Sequence, residues 1–169
     1  MSETKKSTRG RDFAKYVIDR MNQDKGVAAA LRRADNPATQ YQSWDVLMGF
    51  NVNLEKEWER IPFASIAAAI ARAKPQTVGT VPFMSALASI YPDRPDDSPA
   101  VARFRRLLAC TTVVECCSVL RPIFSLVQSK GAKDVDYGGL LDDLLWFGLD
   151  EDRIKARWAM NFYHAGEAK

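Results

Sequence analysis

"PDRPDDSPAVARFRRLLAC", residues 92–110, sets a chain break directly against a helix start. Prolines 92, 95 and 99 and aspartates 93, 96 and 97 take six of its first eight positions. Each proline removes a backbone donor and restrains the residue before it, so 92–98 reads as a linker or rigid turn. Its end carries start signals: Ser98 as N-cap, Pro99 at the first helical position, and acids beside the positive end of the dipole. In the helix that follows, Val101, Phe104, Leu107 and Leu108 fall within an arc of about 120°, which marks the buried face. Arg103, Arg105 and Arg106 occupy the remaining surface. None has an acid three or four residues away, where helical partners sit. The cluster is locally unpaired and self-repelling. It is solvated, or meets acids across the fold, or serves as a phosphate-binding face, since guanidinium groups grip phosphate in a fork and are weakly hydrated.

Upstream, apolar residues recur at three- and four-residue spacing. Phe13, Tyr16, Val17 and Met21 form one stripe, with helix expected from Asp12. "VAAALRRA" (27–34) is a short helix stopped by "DNP". Tyr41, Trp44, Leu47 and Met48 mark another, with "NVNLEKEWERI" as an imperfect continuation. Pro62 is expected in the first turn of "PFASIAAAIARA", whose stripe is Phe63, Ile66, Ala67 and Ile70. "KPQTVGT" reads as a loop and "VPFMSALASIY" as a helix. Downstream, residues 112–130 form a helix with Pro122 inside it and Gly131 at its end. Asp136 caps "YGGLLDDLLWF" and Asp150 caps "EDRIKARWAMNFY". No alternating β-branched run and no fixed-period repeat occurs. The reading is all-α, with two small packed helical bundles and roughly eight helices. A flexible tail takes 1–11, a first lobe 12–91, the linker 92–98 and a second lobe 99–165.

The net charge of +3 is too weak to imply a polyanionic partner, but its distribution is uneven. Residues 1–33 carry nine Lys/Arg against four acids, and 94–133 seven against three, whereas 134–152 hold seven acids and no base. Arg32 and Arg33 close a short helix, where cations suit the dipole, with Asp35 within reach of Arg32. Arg121 lacks a local acid, and Lys130 sits at a helix C-terminus.

Little here suits catalysis. The one histidine, His164, is the sixth residue from the end and reads as a surface residue. Cys110, Cys116 and Cys117 have no CxxC spacing and read as small buried residues, not as a disulfide framework or a zinc site. The acids of 134–152 lack EF-hand spacing, and no P-loop or GxGxxG appears; "YGGLL" offers only an adjacent glycine pair. Trp44, Trp58, Trp146 and Trp158 fall on apolar stripes and read as core, although one at an edge could stack on a base. No catalytic residue, cofactor or metal is expected. Without an apolar leader or a span of about 18 apolar residues, a reducing prokaryotic cytoplasm is the expected setting.

"RFRRLLAC", "LVQSKGAKDVDYGGLLDDLLWF" and "DEDRIKARWAMNFYH", in that order, together with "AALRRADNP…YQSWDVL", resemble the CasB family over about residues 26–164. That family is the small subunit of the type I-E CRISPR surveillance complex, Cascade. One departure is "TVGTVPFMSAL", which lacks an arginine that family members often carry before the helix ending the first lobe. The resemblance implies two helical bundles without enzymatic activity. It implies partners too: the backbone proteins that carry the guide RNA, the large subunit, a second copy of this chain, and target DNA with its displaced strand. The function so implied is stabilisation of the opened DNA by sequence-indifferent contacts. Arg32, Arg33, Arg103, Arg105, Arg106, Arg121 and Lys130 are then the expected nucleic-acid contacts. The alternative is a scaffold that binds protein only, its arginines paired with acids.

Overall fold

A computed structural model describes residues 7–91 and 98–164. The expected linker therefore lies, apart from Ser98, outside the described residues, as do residues 1–6 of the expected tail and residue 165. The described chain is all-α. Its helices are α1 (Arg9–Gln23), α2 (Lys25–Leu31), α3 (Trp44–Gly49), α4 (Glu57–Ala73), α5 (Phe83–Ser89), α6 (Pro99–Leu108), α7 (Val113–Ser129), α8 (Tyr137–Trp146) and α9 (Glu151–His164). A 3-10 turn at Gln40–Ser43 leads into α3. Two short strands, β1 (Val81–Pro82) and β2 (Val135–Asp136), pair in parallel, an element too short for alternation to reveal. Gly79, at φ +84°, turns the chain into β1, where a Cβ would stand 2.2 Å from the Val135 carbonyl oxygen.

The helix starts expected at Ser98 and Asp136 carry the side-chain caps read from the sequence. The Thr8, Ser98, Thr112 and Asp136 side chains accept from backbone amides at the N-termini of α1, α6, α7 and α8. Three expectations shift. Helix α1 begins at Arg9, ahead of the apolar stripe, because Thr8 supplies the cap. Helix α4 begins at Glu57, so Pro62 lies inside it. The bond Pro62 forfeits would reach back to Trp58, in a turn open to solvent. And α4 has no single buried stripe: Phe63 through Ala71 are all buried. Its run of alanines lets α1, α2, α7 and α8 close around it, which makes α4 the central helix.

Helices from both sides of 92–97 share the core. α1 packs on α8, α4 on α7 and α8, α5 on α9, and α6 on α7. At the α1–α8 crossing the two backbones approach closely. A Cβ on Gly10 would meet the Gly138 carbonyl oxygen at 2.0 Å, and one on Gly138 would meet Arg11 Cα at 2.6 Å. The first glycine of "YGGLL" thus admits a neighbouring backbone, and the second makes room for the Asp136 and Arg11 side chains, packing roles that their spacing alone did not reveal. Trp158 is buried and Trp44 half-buried, but Trp58 (51 % exposed) and Trp146 (61 % exposed) lie on the surface. Apolar periodicity placed both in the core; each stands at an end of its helix, beyond the neighbouring layer.

Candidate nucleic-acid interface

The arginines sort into two groups according to the carboxylates the fold brings near them. Arg9 pairs with Glu59 at 2.6 Å, and Arg11 with Asp136 at 2.8 Å. Arg157 pairs with Asp143 at 2.7 Å, and Lys155 with Glu151 at 2.6 Å. Asp35 does not serve Arg32. Its carboxylate, only 5 % exposed, accepts both Nη groups of Arg72 at 2.7 Å and has Arg121 Nε at 3.4 Å. Arg72 Nη2 also donates to the Arg32 carbonyl at 2.8 Å, which ties the end of α2 to α4. The turn after α2 thus points its acid inward and leaves the arginines beside it without that partner.

Arg103, Arg105 and Arg106 form no ion pair among the described residues, and neither do Arg32 and Arg33. Arg105 and Arg106 are exposed, Arg103 partly so. Ser98 accepts from the Val101 amide at 3.3 Å and fixes the start of α6. Ala100, Val101, Phe104 and Leu107 are buried beneath it. Phe104 stacks on Phe162 of α9, with centroids 4.1 Å apart and planes 7° from parallel. This anchors α6 so that its arginines project outward.

The acidic block 134–152 does not neutralise that cluster. Asp136 caps α8 and takes Arg11; Asp142 accepts from the Gly10 amide at 2.8 Å and from the Thr8 hydroxyl. Asp143 accepts from Trp158 Nε1 at 2.9 Å and from Arg157. Burial raises Asp142 and Asp143 above the usual aspartate range, only partly offset by these donors and by nearby guanidinium charge. Three of the block's acids, Asp136, Asp142 and Asp143, are therefore internal clamps for α1, α8 and α9, a role invisible to charge counting, whereas Asp134, Asp150 and Asp152 lie exposed.

The remaining predicted contacts are dispersed. Arg121 is half-exposed but shares Asp35, an acid 86 positions earlier that no helical rule could pair with it. Lys130 is exposed at the end of α7, its Nζ 5.9 Å from the Tyr91 ring centroid. All three cysteines are buried, and burial pushes their thiols up, Cys117 to about 12, so none is primed as a nucleophile. Among the described residues no three His, Cys, Asp or Glu side chains gather into a metal site, and no helix is long and apolar enough to cross a membrane.

Comparison with known proteins follows the same lines. The profile of the CRISPR-associated protein Cse2 family matches residues 27–163. No curated protein sequence matches. The fold is similar to that of CasB from Thermus thermophilus (TM-score 0.72, 24% identity, covering 93% of this chain and 99% of that one). It is also similar to M. ruber CasB (TM-score 0.68, 24% identity, 94% of each chain). A chain of a CRISPR RNA-guided surveillance complex superposes with TM-score 0.75 at 18% identity, again over 94% of each chain. The helical fold extends across nearly the whole of each relative, and the family profile spans most of this sequence: the chain belongs to the CRISPR-associated Cse2 (CasB) family.

Proposed function

We propose that this chain is the small, non-catalytic subunit of a CRISPR RNA-guided surveillance complex, and that it holds DNA strands through the outward face of α6. One observation carries the reading: among the described residues the carboxylates beside Arg9, Arg11, Arg72, Arg121 and Arg157 are engaged within the fold, whereas Arg103, Arg105 and Arg106 cluster on α6 with no carboxylate to neutralise them. Holding three like charges on about one turn of helix costs repulsion that a polyanion relieves. Arg32 and Arg33 extend the same chemistry, with Arg121 and Lys130 as weaker contributors because each already has a neighbour. Such contacts read no bases. Base pairing with the guide reads sequence, strand exchange is nearly balanced, and sequence-tolerant cationic contacts suffice to tip it. Partners in this reading are the guide-carrying backbone subunits, the large subunit, a second copy of this chain and the opened target DNA.

The test is affinity for single-stranded and duplex DNA across a salt series. Each lost phosphate contact lowers the slope of log affinity on log salt by about 0.7 on single strands and about 0.9 on duplex. Arg103→Ala with Arg106→Ala should flatten the slope accordingly; an unchanged affinity and slope removes these residues as contacts.

A protein-only scaffold is the second reading. It is favoured by apolar side chains left open at the α8–α9 end: Trp146, Met160 and Leu149, the last 79 % exposed. A pull-down of the double variant with the backbone subunits separates the two. Lost assembly supports the scaffold; intact assembly with poorer target binding supports strand holding.

A further inference from the structure

Tyr163 is 50 % exposed, yet its ring is pinned. It stands edge-on to Phe104 at 5.7 Å and to Phe162 at 5.3 Å, and those two buried rings are stacked on each other. The result is an aromatic surface held by the core but half open to solvent. Its support, Phe104, is the residue between Arg103 and Arg105. On a helix these arginines lie about 100° to either side of Phe104. The tyrosine therefore borders the helix that carries both unpaired guanidinium groups.

Charge alone does not distinguish one strand from two. A duplex turns its bases inward and offers an exposed ring nothing to stack on. A single strand presents phosphate and base of the same nucleotide, so a cation beside a ring engages both. Tyr41 is likewise exposed, in the 3-10 turn, and Thr39, two residues before it, donates its hydroxyl to the Arg33 carbonyl at 2.9 Å. We propose that Tyr163 is a base-stacking platform that makes the α6–α9 corner a single-strand site in preference to a duplex site. This rests on the reading of α6 as a strand-binding face.

The experiment measures the full-length chain against an unstructured labelled oligonucleotide and a duplex of equal length, each across a salt series. Tyr163→Leu should weaken single-strand binding roughly five- to hundredfold, the loss of one stacked base. It should leave duplex affinity unchanged. It should also leave the salt slope unchanged, because no phosphate contact is lost. Tyr163→Phe should bind as the unaltered chain does. Photocrosslinking of the unaltered chain to a 5-iodouracil-substituted strand should map to the peptide carrying Tyr163, a readout independent of any variant's folding. Undiminished single-strand affinity in Tyr163→Leu, an equal loss on duplex, or crosslinks confined to other peptides overturns the platform. An unaltered chain that binds neither nucleic acid, or an Arg103/Arg106 variant with an unaltered slope, overturns the α6 reading instead.

Discussion

Replacing Gly138 by alanine sets two effects of opposite sign against each other. Helix propensity favours the change: alanine in a helix is better than glycine by up to about 1 kcal/mol. Packing opposes it. The new Cβ would lie 2.6 Å from Arg11 Cα, 2.7 Å from the Gly10 carbonyl oxygen and 2.8 Å from the Arg11 amide nitrogen. All three are backbone atoms, so no rotamer change relieves the contact. Restoring ordinary van der Waals separation requires α1 and α8 to part by roughly 0.8 Å, an overpacking that costs about 1–3 kcal/mol. The shift also stretches the Gly10–Asp142 hydrogen bond and the Arg11–Asp136 pair, at about 1 kcal/mol. Packing wins, and Gly138→Ala should lose about 1–3 kcal/mol net. For a chain of this length that lowers Tm by roughly 3–10 °C. Thermal unfolding followed by circular dichroism measures it. Gly148→Ala is the control, since nothing lies within 4 Å of its Cβ position, and it should stay near the unaltered Tm. A Gly138→Ala variant that melts at or above the unaltered protein would refute the close approach of α1 and α8.

Asp35→Asn should destabilise by about 1–3 kcal/mol in denaturant titration, because it leaves the Arg72 guanidinium without its bidentate carboxylate; partial exposure of Arg72 keeps the loss below that of a fully buried pair. The same variant frees Arg121, so DNA affinity at low salt should rise if Arg121 is a contact. Asp142→Asn tests a pH effect. A carboxyl whose folded-state value is raised binds its proton more readily folded than unfolded, so it adds stability as pH falls from neutrality toward the ordinary 3.8. Tm measured across that window should rise less, or fall more, on acidification in the variant than in the unaltered chain; parallel profiles would contradict the burial of this group. Phe104→Ala removes a fully buried ring from its stack on Phe162, and should cost about 3–5 kcal/mol; a loss under 1 kcal/mol would mean that Phe162 does not depend on it.

The sequence by itself determined what depends on neighbours within one helical turn. Caps at Ser98 and Asp136, the buried face of α6, and the absence of acids beside Arg103, Arg105 and Arg106 all follow from spacings of four residues or fewer. The order of motifs along the chain was enough to suggest the family. Only the tertiary structure decided which charges are spent. Arg72 meets Asp35 across 37 positions and Arg11 meets Asp136 across 125, distances over which local patterns carry no information. It likewise decided that Trp58 and Trp146 face solvent, that α4 is buried on every side, and that Gly138 seats α8 on α1. The physical reason is common to all of these. Periodicity says which side of a helix is apolar, but burial and ion pairing depend on which other element occupies that side, and that is settled only when the helices pack.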